Sequence, residues 1–262
     1  MKKIDDYVDR PNETKSEDTP TNQDRINELK QKLLTPYKNI REAVHGDVKV
    51  THLETEILDT RSFQRLHGLR QLGPSYLVYP SANHTRFEHA LGTLFTAQKM
   101  IDIVNSSQYK DLELQTSDKL LIRLCSLLHD VCNLSFGHTL EEEGMLFKSQ
   151  WEDAKRVDYF LGEQSEIGQK ILKNKILNEL STLGEKEFEP KHVLNEIKSI
   201  LIGLERNTVE SLEKPYVADI VGNTLCADLL DYVKRDPYFA GLRETYDERF
   251  LYYLYITKHK GK

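Results

Sequence analysis

At 262 residues, with 39% hydrophobic and 30% charged positions, the chain is long enough for one large domain or two small ones and can bury a substantial core. Its formal charge of −6 denies nucleic acid an overall cationic field and leaves only a local basic groove for such a partner, and no stretch approaches the about 18 apolar residues that a membrane span needs. Three cysteines (Cys125, Cys132 and Cys226), odd in number and without paired spacing, point to a reducing compartment, and with no apolar signal segment at its N-terminus the chain reads as cytoplasmic.

Residues 1–35 are expected to form a flexible tail. As far as about Asp24 they are rich in Asp, Glu, Lys, Thr, Asn and Pro, and only Arg25–Leu34 offers a short helix before Pro36. Residues 36–262 are expected to form one domain. His45-Gly46-Asp47 followed by Val48–Val50 predicts a turn and a short strand. Thr51, with Glu54 three residues on, has the pattern of a helix N-cap for a helix running through Asp59. A second helix is predicted over Arg61–Gln71, stopping at Gly73-Pro74, and Tyr76–Tyr79 predicts a brief strand closed by Pro80.

From Thr85 to about Asn105 the sequence reads as a long helix with Phe87, Leu91, Leu94 and Phe95 on one side. Arg86 and His89, three residues apart, share a side near its start. Leu120, Leu124, Leu127 and Leu128 then recur at the three- and four-residue steps of a helix face, and that apolar run ends in His129-Asp130. A lone His-Asp pair is most often an ordinary surface dipeptide. At the end of an apolar helix two adjacent metal-type ligands are an unusual use of polar residues, because a buried charge costs several kcal/mol unless it is paired or metal-bound, and what else the chain supplies decides between the two readings.

Glu166–Leu180 and His192–Leu204 have helical periodicity, as does YVADIVGNTLCADLLDYVKRD after Pro215, which Pro237 interrupts or ends. The tail RFLYYLYIT mixes aromatic and β-branched residues and predicts a final strand. There is no internal repeat. The expected class is all-α, mostly helical, with a few short strands.

Asp228, Tyr232 and Asp236 stand at i, i+4 and i+8, so a continuous helix aligns them on one face. A solvated acidic face is the ordinary reading of such spacing. Cys226-Ala227 and Leu229-Leu230 surround Asp228 with apolar residues, however, and that fits a buried carboxylate better.

Five segments in order, TRSFQRLHGLRQLG (Thr60–Gly73), LVYPSANHTRFEHALG (Leu77–Gly92), LLHDV (Leu127–Val131), FGHTLEEE (Phe136–Glu143) and ADLLDYVKRD (Ala227–Asp236), resemble the HD-domain phosphohydrolases. Within them the resemblance is to the deoxynucleoside triphosphate triphosphohydrolases, and it runs from His45 to about Leu242. It implies one divalent metal (Mn, Fe, Ni, Co, Zn or Mg) held by His89, His129, Asp130 and Asp228. It implies hydrolysis of a deoxynucleoside triphosphate to deoxynucleoside and inorganic triphosphate, by a homo-oligomer. Gln71 matches a residue beside the deoxyribose, Arg86 an arginine on the α-phosphate side, Tyr232 and Asp236 contacts to the sugar 3′-hydroxyl, and His138 a histidine beside the phosphates.

Two positions depart from the pattern. Asn133 stands where the family usually has a histidine, and Glu152 aligns with a second histidine held to assist proton transfer. Asn cannot change protonation state, and Glu titrates near 4.3 rather than about 6.5. Two other readings therefore stand beside the first: an HD phosphohydrolase acting on a nucleoside monophosphate, a cyclic nucleotide or a single-stranded nucleic acid end, and a nucleotide-binding homologue with little or no turnover. The match ends before Lys262 whereas the family usually continues, so a short form or a fragment is expected.

Overall fold

A computed structural model of the chain describes residues 21–136, 140–141, 146–243 and 246–257. Thr21 caps the first helix, α1 (Asn22–Leu34), in a capping box with Asp24, and Ile26, Leu29 and Leu33 on its inner face are buried in the core. Composition alone placed 22–34 within the tail; three apolar residues at helical spacing instead pack this segment onto the domain. The remainder of the expected tail, residues 1–20, lies outside the described residues.

Strands β1 (Pro36–Glu42) and β2 (Gly46–Thr51) form an antiparallel hairpin, and the turn between them needs Gly46 for its positive φ of 83°. The sequence reading found the turn and β2 and missed β1. Thr51 and Glu54 form the expected capping box on α2 (His52–Leu58). The helix expected over Arg61–Gln71 is shorter. It comprises α3 (Arg61–Gln64) and a 3₁₀ turn to Gly68, after which Leu69 and Gln71 exchange backbone hydrogen bonds with His84 and Arg86 rather than continue the helix. The strand expected at Tyr76–Tyr79 is a 3₁₀ turn over Gly73–Leu77 opened by Pro74, with Leu77 and Val78 exposed and without a strand neighbour.

The centre of the fold is α4 (Arg86–Ser106), capped by Thr85 and Glu88, packed between α5 (Thr116–Leu128) and α11 (Ala227–Ala240). Phe87, Leu91 and Leu94 are buried as expected, and Phe95 is partly so. Truncating a fully buried leucine such as Leu94 to Ala costs about 2–5 kcal/mol. Arg123 on α5 is buried too, bonded through Nε and Nη2 to Glu54 at 2.7 Å, which fastens α5 to α2.

The remaining helices, α6 (Ala154–Leu161), α7 (Glu166–Leu172), α8 (Lys175–Thr182), α9 (Pro190–Glu205) and α10 (Pro215–Gly222), close one side of the core. The stretch expected as one helix over Glu166–Leu180 is two, because Asn174 breaks it and caps α8. The stretch after Pro215 is likewise divided, with the Cys226 sulfur capping α11. Helix α11 then runs through Pro237 to Ala240, where the expectation was that Pro237 interrupts or ends it. Its last turn is held from outside by the stacking of His84 on Phe239 and by the Ser81 hydroxyl donating to the Phe239 carbonyl. The expected C-terminal strand is a 3₁₀ turn over Glu248–Tyr253, where only Leu251 is buried. No described helix is long and apolar enough to cross a membrane.

Candidate metal centre

Three helix ends meet at one point. The first turn of α4 brings Arg86 and His89, the C-terminal end of α5 brings His129 and Asp130, and the first turn of α11 brings Asp228. His129 caps α5 and donates through Nδ1 to the Ser126 carbonyl at 2.8 Å, which leaves Nε2 facing outward. Trp151 donates its indole N–H to the His129 carbonyl at 3.1 Å and so fixes the end of the helix. The two imidazole Nε2 atoms lie 3.1 Å apart, and Asp228 Oδ1 is 2.9 Å from that of His89 and 3.5 Å from that of His129. Asp130 Oδ2 completes the group at 3.9 and 3.7 Å from the same two nitrogens.

These separations are those of donors around a single ion. Ligands at about 2.0–2.3 Å in tetrahedral or wider geometry stand roughly 3–4 Å from one another. One ligand atom each from His89, His129 and Asp130 falls within 4.8 Å of the others. Charge fits as well. With neutral imidazoles, Asp130, Asp228, Asp231 and Glu42 face two guanidiniums, Arg86 and Arg235, among the described residues, and four carboxylates against two cations leave the two negative charges that a divalent cation balances. The residues therefore fit a divalent ion.

Without that ion, protons compensate the charge. Burial opposes a charge on His89, but the hydrogen bonds it donates to Asp228 and Asp231 outweigh it and push its pKa up to about 10. His129 is raised in the same way, burial being outweighed by Asp130 and Asp228. Burial works against ionised Asp130, yet the Arg86 guanidinium and the two imidazoles hold its carboxyl down to about 2, and His129 and His89 keep Asp228 below the ordinary carboxylate range. The three cysteines are buried, and burial pushes each thiol up, Cys132 to about 12, so none is a thiolate at neutral pH. Cys132 fills space in the turn beyond the metal group.

The group opens on a cavity of about 250 Å³. Gln71, Arg86 and Tyr232 line it, together with Gln150 and Trp151, and Leu201, Leu204 and Val221 form an apolar wall. Arg86 pairs with Asp130 Oδ2. Asp236 does not line this cavity: its carboxylate takes a hydrogen bond from His84 Nε2 at 2.8 Å. Asn133 is fully buried behind the site and donates from Nδ2 to Asp130 Oδ1 at 2.6 Å. Glu152 is exposed and is not among the residues that line the cavity. His138 lies outside the described residues.

Other residues at the site carried no role in the sequence reading. His89 Nδ1 donates to Asp231 Oδ2 at 2.7 Å, and His45 on the hairpin donates to Asp231 Oδ1 at 2.6 Å. The available signal was the spacing of Ala227, Leu230, Asp231 and Arg235, which puts an ion pair on the buried face of α11. Gln150 is buried and places Nε2 3.5 Å from Asp130 Oδ1, while the side-chain oxygens of Gln150 and Gln71 have no partner among the described residues. A buried acceptor without a donor is costly, so both oxygens are acceptors for what enters the cavity.

Comparison with known proteins places this geometry. Residues 86–236 match the HD domain family. An uncharacterized protein of Methanocaldococcus jannaschii is 34% identical over 205 residues, covering 78% of this chain and 34% of that protein. The deoxynucleoside triphosphate triphosphohydrolase SAMHD1 homolog of Dictyostelium discoideum is 30% identical over 208 residues, covering 78% of this chain and 37% of that protein. The crystal structure of a hypothetical protein from Aquifex aeolicus superposes with a TM-score of 0.57 at 25% identity, covering 86% of this chain and 52% of that one. The chain spans little more than a third of the length of the two curated relatives.

Proposed function

This chain belongs to the HD-domain family, and on that premise we propose that it is a metal-dependent phosphohydrolase acting on deoxynucleoside triphosphates to give deoxynucleoside and inorganic triphosphate. The observation that carries the reading is the meeting of His89, His129, Asp130 and Asp228, from three helices, at the wall of a cavity that also holds Arg86. A divalent ion held there supplies Lewis acidity toward phosphoryl oxygens and activation of water. The likeness to a SAMHD1 homolog supports the choice of substrate. On this reading further copies of the chain are partners as well.

The chain's own side chains divide the work. Arg86 is always charged and presents a planar fork that suits phosphate oxygens; in the absence of an anion it rests on Asp130. Tyr232 stands one turn beyond Asp228 on α11 and presents its hydroxyl to the cavity, where a sugar hydroxyl meets it. Gln71 adds an unpaired acceptor oxygen. Leu201, Leu204 and Val221 exclude water from the far wall, which strengthens the charge interactions opposite them.

The test is a metal analysis of the purified protein followed by a nucleotide panel assayed for triphosphate release. Release of triphosphate from deoxynucleotides, abolished by a chelator and restored by a divalent ion, is the expected result. Release of monophosphate or pyrophosphate would move the protein to another phosphoester reaction. A second reading, nucleotide binding with slow turnover, is favoured by one observation. Apart from the metal group and Arg86, the only titratable side chains in the described cavity lining are Tyr232 and Glu205, and neither stands at the positions of the family's assisting histidines.

A further inference from the structure

The carboxylate of Asp231 is fully buried and has every acceptor position filled. Its Oδ2 accepts from His89 Nδ1 and from Arg235 Nε, both at 2.7 Å. Its Oδ1 accepts from His45 Nε2 at 2.6 Å and from Arg235 Nη2 at 3.0 Å. Arg235, also fully buried, reaches on through Nη1 to Glu42 Oε2 at 2.9 Å. Glu42 in turn accepts the backbone N–H groups of Val44 and His45, which sets the hairpin turn that carries His45. The His45 ring lies over Phe95 of α4, with centroids 4.8 Å apart. A continuous chain of polar contacts therefore runs from the hairpin, through Asp231, to the back of His89.

A carboxylate surrounded by four donors can only accept. His89 must direct Nδ1–H at it, and the Nε2 on the opposite side of the ring is left for the ion. We propose that Asp231 and His45 are positioning residues of the metal centre: the hairpin, through the Asp231 carboxylate, sets the orientation and tautomer of His89, so that affinity for a divalent ion and docking of the hairpin depend on each other. The inference rests on the metal reading of the site and not on the identity of the substrate. A carboxylate behind a ligating histidine is worth roughly 10–100-fold in metal affinity, and by linkage the ion must return the same coupling to the hairpin.

The test uses Zn²⁺ alone as probe, on the full chain, with affinity measured by competition against a chromophoric chelator. Asp231→Asn keeps the shape and removes the charge; binding weaker by roughly 10–100-fold is expected. His45→Phe keeps the stacking on Phe95 and removes the donor, while His45→Gln restores an N–H; the first is expected to weaken Zn²⁺ binding and the second to recover it. The His45 pair also covers the case in which Asp231→Asn, by leaving buried Arg235 with Glu42 as its one remaining anion among the described residues, does not fold. Hydrogen exchange gives a reading that a merely structural role would not move. Zn²⁺ should slow exchange of amides 37–51 in the wild type and fail to do so in His45→Phe. Folded variants that bind Zn²⁺ as the wild type does, with hairpin exchange indifferent to the ion, overturn the proposal. A wild type that binds no divalent ion overturns the metal reading itself, so the two failures are told apart without any nucleotide.

Discussion

Gly92 lies on α4, three residues after His89, where α4 and α11 pass closest. A Cβ at this position would stand 1.9 Å from Asp231 Oδ1 and 2.2 Å from Arg235 Nη2. Both groups are fully buried and locked in their hydrogen bonds, so neither can swing away as a surface side chain would. Gly92→Ala must therefore spread the two helices or break the pair. Overpacking of this kind costs about 1–3 kcal/mol, and one charge-assisted hydrogen bond lost in a dry interior adds about 1.5–3 kcal/mol. The sum, roughly 3–6 kcal/mol, is a large share of the about 5–15 kcal/mol that holds a folded domain together. For a chain of this size it lowers Tm by on the order of 10 °C. Thermal unfolding followed by circular dichroism in a chelator measures this, and the Zn²⁺ competition assay should show weaker binding in the same variant. A Tm within a degree of the wild type would refute the close approach of α4 and α11 at Asp231, since Ala is otherwise the better helix former.

Three further outcomes are expected. Asp130→Ala should abolish metal content, read by elemental analysis, and any hydrolysis with it; by leaving Arg86 buried without its anion it should also cost about 3–5 kcal/mol in urea unfolding. In metal-free protein the His89 pKa of about 10 lies above its unfolded value of 6.5, so the stability it contributes is complete below pH 6.5 and is lost as pH rises toward 10. Urea midpoints in chelator should accordingly fall from pH 6.5 to pH 10, whereas Zn²⁺ affinity should rise over the same interval as the competing proton leaves. Glu152→Gln should leave turnover unchanged, because the side chain is exposed and outside the cavity lining; a pronounced loss would show that the segment around Trp151 moves onto the substrate.

What the sequence made legible was whatever is encoded locally. The pairs Thr51 with Glu54 and Thr85 with Glu88 announce helix starts within four residues, and both form capping boxes. The periodic leucines of α5 lead directly to His129 and Asp130. Where several segments answer the same local pattern, only tertiary neighbours decide. Tyr76–Tyr79 and Arg249–Thr257 have strand composition, but among the described residues no strand edge lies beside them and both turn as 3₁₀. Strand β1 was missed because its partner, rather than its alternation, makes it a strand: five of its seven residues are exposed, or nearly so. Asp231 was hidden for a related reason. Its partners are one helical turn away on α11, 142 residues back at His89 and 186 back at His45; local spacing puts it on the face of Ala227, Leu230 and Arg235 but cannot say which distant residues meet it there.

The replacement of a histidine by Asn133 takes on a definite meaning in this setting. Its Nδ2 donates to Asp130 Oδ1 at 2.6 Å and its backbone carbonyl accepts from Arg65 Nη1 at 2.7 Å, so the residue keeps the Asp130 carboxylate in place and fixes the turn beyond α5. The side-chain amide donates to Asp130 at any pH, whereas an imidazole in the same dry position would gain or lose a proton with the charge of the site; the Arg65 contact, made by the backbone, is open to either residue. Asn133 thus orders one carboxylate of the metal centre while offering no proton transfer from this side. The leaving oxygen of a nucleoside is a poor leaving group without a proton, and general acid assistance is worth about 10²–10⁴-fold. Among the described residues that proton can reach the cavity only through Tyr232, Glu205 or water entering from the open side. Burial and the nearby Asp228 raise the Tyr232 hydroxyl above its ordinary value, which keeps it protonated as a donor yet makes it a weaker acid. On the proposed triphosphohydrolase reading, slow release of product is the outcome expected from these positions, and a turnover assay against deoxynucleoside triphosphates checks it.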